Sequence, residues 1–121
     1  MSLNKLPHDH GPAGGHAAAH MPSAQALFPV SQTLRLLGDA TRLRIFWLLC
    51  HCRECVVNIS AIMDMSSPAV SHHLKQLRDA GLIVSSRQGK EVYYAAADTQ
   101  TARLLHDMME QLLDMSCPGE N

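Results

Sequence analysis

Ser66-Ser67-Pro68-Ala69-Val70-Ser71-His72-His73-Leu74-Lys75-Gln76-Leu77-Arg78-Asp79-Ala80-Gly81 is the stretch that decides the fold. Val70, Leu74 and Leu77 fall at i, i+4 and i+7, the spacing of a helical face that buries itself. Ser66-Ser67-Pro68 supplies a cap and an early proline, and Gly81 a stop. The opposite face carries Ala69, Ser71, His72, Lys75, Gln76 and Asp79. His73 sits on the flank of the apolar stripe, where histidine ordinarily packs. Just upstream, Val56, Ile59, Ile62 and Met63 mark a shorter apolar stripe. Two helices joined by a tight turn, the second with a small, polar and basic outer face, predict a helix-turn-helix.

Working outward, Leu82-Ile83-Val84-Ser85-Ser86 and Glu91-Val92-Tyr93-Tyr94 are β-branched or aromatic segments joined through Arg87-Gln88-Gly89-Lys90. They predict a hairpin wing with Gly89 at a positive φ and Arg87 and Lys90 flanking its tip. Thr99–Met115 sets Ala102, Leu105, Met108, Met109, Leu112 and Met115 along one stripe. A long amphipathic helix at the end of a small domain needs a partner surface, and a second copy of the chain is the economical one. On the other side, Leu43, Ile45, Phe46, Trp47, Leu48 and Leu49 are apolar all round, which predicts a central buried helix ending near Cys50–Arg53. Leu27, Val30, Leu34 and Leu37 predict a helix interrupted or restarted near Pro29 and stopped by Gly38. Residues 1–22 lack apolar periodicity and are expected to form a disordered His-rich arm. The expected organisation is therefore this arm, a domain over 23–117, and a tail over 118–121. The fold class is mainly α with a small β-hairpin wing: a winged helix-turn-helix whose N- and C-terminal helices form the interface of a homodimer.

At 121 residues the chain suits one small core, which excludes a multidomain enzyme or a doubly wound nucleotide-binding fold with a separate substrate domain. It has no nucleophile–base constellation and no phosphate loop, so neither an enzyme nor a small-molecule substrate is expected. No run of about 18 apolar residues predicts a membrane span, and the first 20 residues lack a signal-peptide core. The expected location is the cytoplasm, where cysteines serve as thiols or metal ligands rather than structural disulfides. The formal charge of −1 hides an uneven distribution. Residues 31–95 carry eight Lys and Arg against five Asp and Glu, or +3; residues 96–121 carry Arg103 against five acids, or −4. A basic middle can meet a phosphate backbone despite a neutral total.

Three segments taken together resemble the ArsR/SmtB family of bacterial metal-responsive repressors. They are Leu37-Gly38-Asp39-Ala40-Thr41-Arg42-Leu43-Arg44-Ile45, the helix-turn-helix stretch from Ser67 to Ile83, and Gly89-Lys90-Glu91-Val92-Tyr93-Tyr94. The resemblance covers roughly residues 30–116. It implies a dimer that binds palindromic double-stranded operator DNA without metal and releases it when metal binds.

The expected DNA contacts are Ser67, Ser71, His72, Lys75 and Gln76 on the reading helix, with Arg87 and Lys90 gripping the backbone from the wing. Gln76 has the chemistry to bond adenine bidentately, and Lys75 to meet guanine. The competing reading of the same face is a solvated surface on a protein-interaction module.

Cys50-His51-Cys52-Arg53-Glu54-Cys55 packs three thiols and an imidazole into six residues. Such donors select zinc, cadmium and related ions, and Cys52 and Cys55 form a C-x-x-C chelate spacing. Cys50 is either a fellow ligand or a packing thiol. Cys117 offers a fourth thiol, and His8, His10, His16 and His20 on the arm are auxiliary donors, as is His51. Zinc or cadmium is the expected effector, with lead, nickel, cobalt and arsenite also open. The resemblance aligns Cys55 with the first Cys of a Glu-Leu-Cys-Val-Cys-Asp-Leu box found in some relatives and Val57 with the second, so Cys50 and Cys52 would substitute. Other relatives use an Asp-x-His and a His-x-x-His/Glu pair. Asp98 fits that pattern, but Gln100, Gln111 and Asp114 stand at its other positions. His106 and Glu110, at i and i+4 on the last helix, form either a private ligand pair or a solvated one. The same cysteines admit a second sensing class, a redox or electrophile switch closing a disulfide.

Overall fold

The structure, a computed structural model, describes residues 6–116, with side chains as far as residue 114. Cys117 and the tail over 118–121 lie outside the described residues, as does the side chain of Met115. The chain divides into two units, Met1–Thr33 and Leu34–Asn121. This boundary falls inside a helix.

In the first unit, α1 (Ala13–His20) occupies part of the segment expected to be irregular. Four of its eight residues are alanine, the strongest helix former, which outweighs Gly14-Gly15 locally. The helix α2 (Ala24–Leu37) begins in this unit and runs unbroken through Pro29, where an interruption was expected. Its start is capped by Ser23, whose hydroxyl accepts from the Ala26 amide at 3.0 Å.

The second unit is the winged domain. Asp39 accepts from the Arg42 amide and caps α3 (Ala40–His51), whose Ile45, Phe46 and Leu49 are buried at the centre of the core. After α3 the chain forms a two-residue strand, β1 (Glu54–Cys55), then α4 (Val56–Met63), which ends on Asp64 in the left-handed region at φ +53°. Ser66 caps α5 (Ser67–Asp79), accepting from the Ala69 amide. Val70, Leu74 and Leu77 are buried as their spacing predicts. Gly81, at φ +76°, turns the chain into β2 (Ile83–Gln88), which pairs antiparallel with β3 (Glu91–Ala96).

The strands run further than the sequence indicates, so that Arg87 pairs with Val92 and only Gly89 and Lys90 form the turn. Gly89, at φ +62°, takes the first turn position, as a II′ hairpin requires. The sheet order is β1-β3-β2, with Glu54 opposite Tyr94 and Cys55 opposite Tyr93. The last helix, α6 (Gln100–Ser116), packs Ala102, Leu105 and Met109 into the core. The expected stripe is buried only in part: among its described residues Met108 and Leu112 are exposed, as are Leu104 and Leu113 beside it.

Candidate nucleic-acid interface and metal ligands

The buried stripe of α5 fixes what the helix turns outward. Ser67, Ser71, His72 and Lys75 are exposed and Gln76 is half-buried. Ser67 is tied back to α4 by a 3.2 Å hydroxyl contact with Ser60. Lys75 donates to Asp79 at 2.7 Å, an exposed pair of the kind that contributes only a few tenths of a kcal/mol, so a phosphate can draw the ammonium away at small cost.

Gln76 is held differently, because Arg42 Nη1 donates to its Oε1 at 2.7 Å. The second lone pair of Oε1 and the amide nitrogen remain for bidentate adenine recognition, with Arg42 fixing the orientation of the carboxamide. Arg42 also donates from Nε to the Leu36 carbonyl at 2.8 Å and lies 3.5 Å from His73 Nδ1. One guanidinium thus joins the end of α2, the start of α3 and the reading helix. Burial pulls His73 below the ordinary imidazole range, opposed by Asp39 and assisted by Arg42. A neutral, half-buried His73 is in keeping with its place on the stripe's flank.

Arg87 and Lys90 are exposed on the wing. The wing is anchored through Arg53, which donates to Gln88 Oε1 at 2.9 Å and lies over the Tyr93 ring, 4.8 Å from its centroid. Sequence reasoning gave no role to Arg42 or Arg53. Periodicity marks which faces bury but does not say which cation bridges two elements.

The cysteines meet three environments. Cys50 is half-buried, and burial first, then the Glu110 charge, pushes its thiol up to about 11. Cys52 is exposed, with Sγ 3.4 Å from the Leu48 carbonyl oxygen. Cys55 is buried on β1. A thiol held protonated is a poor nucleophile, so Cys50 does not favour the oxidative switch.

Among the described residues, the one group of three potential ligands that converges is His51, His106 and Glu110, with ligand atoms within 4.8 Å of one another. The thiols are not in it. In the first unit, His8 and His10 stack with ring centroids 5.9 Å apart, and His16 and His20 lie 4.4 Å apart.

Residues 39–85, which span α3 through the first half of β2, match the family described as bacterial regulatory protein, arsR family. The transcriptional regulator NmtR of Mycobacterium tuberculosis is 34% identical over 98 residues, 81% of this chain and 82% of that protein. The chain belongs to the ArsR family. The arsenical resistance operon repressor of Escherichia coli is 42% identical over 69 residues, 56% of this chain and 58% of that one. A homodimeric winged helix-turn-helix DNA-binding domain from Mycobacterium bovis superposes with a TM-score of 0.69 at 23% identity, over 84% of this chain and 94% of that one. As an ArsR-family protein with this fold, the chain is a DNA-binding transcriptional regulator and not an enzyme. No helix among the described residues is long and apolar enough to cross a membrane.

Proposed function

We propose that this ArsR-family protein is a cytoplasmic homodimeric repressor that holds double-stranded operator DNA in its metal-free form and releases it on binding a thiophilic or borderline metal ion. Zinc or cadmium is the foremost effector, ahead of lead, nickel, cobalt and arsenite. The observation that carries this reading is the position of the thiols: Cys50, Cys52 and Cys55 occupy the short junction that links the central helix α3 to β1 and α4, the first half of the reading unit. An ion drawing Cys52 and Cys55 together, with Cys50 and Cys117 completing the set, would act directly on the placement of α5. Thiolates suit such ions, and a structural tetrahedral centre needs four donors. Contacts to DNA come from Ser67, Ser71, His72, Lys75 and Gln76, and from Arg87 and Lys90.

Binding of a fluorescent operator fragment, followed by anisotropy at fixed salt, tests the reading. Saturating zinc or cadmium should weaken binding by roughly 5–150-fold, the range of a 1–3 kcal/mol coupling. The double variant C52S/C55S should bind the operator like the parent but no longer respond. Unchanged release in that variant would move the effector site elsewhere, and no release by any of the ions would defeat the repressor reading itself.

A further inference from the structure

Two helices that are distant in sequence face each other with matched pairs of side chains. Trp47 and His51 stand at i and i+4 on α3, and His106 and Glu110 at i and i+4 on α6. The four interlock. Trp47 Nε1 donates to Glu110 Oε1 at 3.1 Å, and its ring lies against His51, tilted by 35°, with centroids 4.1 Å apart. His51 Nε2 and His106 Nε2 are 3.0 Å apart, and Glu110 Oε1 lies 3.4 Å from the first and 3.2 Å from the second.

These three separations are those of atoms sharing an ion. Ligand atoms about 2.0–2.2 Å from one metal lie roughly 2.9 Å apart on adjacent octahedral corners and roughly 3.4 Å apart on tetrahedral ones. The observed triangle falls between the two without any movement of the backbone. We infer that His51, His106 and Glu110 form a divalent-metal centre built only of nitrogen and oxygen donors, separate from the thiols, that clasps α6 to the end of α3.

The chemistry is consistent atom by atom. Two nitrogens at 3.0 Å share a hydrogen in the metal-free protein, one ring donating from Nε2 and the other accepting. The ion replaces that hydrogen: both rings turn Nε2 lone pairs inward and carry their protons on Nδ1, so no net proton leaves two neutral imidazoles. For His106 the Nδ1 side already faces a carboxylate, with Asp107 Oδ1 3.8 Å away. That distance is too long for a hydrogen bond, but the negative charge on that side of the ring favours the tautomer that carries its proton on Nδ1 and leaves Nε2 to the metal. Two imidazoles and one carboxylate suit zinc, nickel or cobalt better than arsenite or lead. The His51 and Glu110 side chains are 42% exposed, which leaves the remaining coordination positions to water. A hollow of about 420 Å³ lined by Cys50, Ala102, His106 and Asp107 opens beside it.

Binding of the ion by these three side chains requires no DNA. Its regulatory consequence, that loading this centre fixes α6 within the dimer, rests on the homodimeric reading above. Trp47 is the sole tryptophan of the chain, so its emission reports the site directly.

The test is a nickel chloride titration of the whole chain followed by tryptophan fluorescence, with circular dichroism to confirm that each variant is folded. One nickel per chain should quench Trp47. The variants H51Q and E110Q should each weaken that step by more than about tenfold, in line with losses measured when metal sites are disturbed. In E110Q the carboxamide oxygen can still accept the Trp47 hydrogen bond, so the loss would reflect the missing charge and not a lost contact. The C52S/C55S variant should quench like the parent. Parent-like titration of both H51Q and E110Q, or loss of quenching in C52S/C55S, would overturn the assignment. Nickel quenching that obeys these rules in a protein that never releases its operator would support the centre and count against the repressor reading.

Discussion

Cys50, Cys52 and Cys55 lie within six residues, yet their reactivities should differ widely. With its thiol pushed up to about 11, Cys50 carries at pH 7.5 on the order of a hundredth of the thiolate of an ordinary cysteine. Timed alkylation with iodoacetamide, read by peptide mass spectrometry, should label exposed Cys52 first and Cys50 much more slowly. Equal rates would mean that the end of α3 opens on the timescale of the reaction. The thiol cluster was legible as a count and a spacing. Its division into exposed, half-buried and buried members was not, because that depends on β1 pairing Cys55 with Tyr93 and on α6 bringing Glu110 near Cys50. The same limit hid the convergence of His51 with His106. No local pattern reports a meeting across 55 positions, although the i and i+4 spacing of His106 and Glu110 marked half of it.

Elements were more legible wherever one face is wholly buried. The apolar stripe of α5 predicted Val70, Leu74 and Leu77 inside, and Ser66 its cap, because burial and capping are both local to the helix. Ser66→Ala should therefore cost about 1 kcal/mol and lower the melting temperature by roughly 4–8 °C in a thermal scan. An unchanged melting temperature would show that the start of α5 is held by other contacts, such as the Ser60–Ser67 pair. On α4 the stripe is only partly as expected: Ile59 and Met63 are buried but Ile62 is exposed, since the inward face of the helix holds Val56, Ile59, Ser60 and Met63. The strand β1 was missed altogether. Two residues carry no period, and only the edge of the wing makes them a strand.

At the scale of the molecule, the second unit leaves apolar side chains uncovered along α6, where Leu104, Leu112 and Leu113 are exposed. On α2, Leu27, Phe28, Val30 and Leu34 are exposed too. Such surface is costly in water, about 25 cal/mol per Å², and a second copy is the occupant our functional reading assigns to it. Leu112→Asp should then shift the chain from dimer to monomer in sedimentation velocity and weaken operator binding with it, while leaving the circular dichroism signal in place. A parent chain that sediments as a monomer at micromolar concentration would remove this explanation of the exposed faces. The Arg42 guanidinium adds a constraint on any motion. By holding Leu36 and Gln76 together, it removes internal freedom from the reading head, as the Ser60 hydroxyl does by holding Ser67. What remains is rotation of the whole head, like a key turning without bending. An effector then changes the angle at which the key is offered to the groove and leaves its teeth as they were, so occupancy of the operator should change while its sequence preference does not.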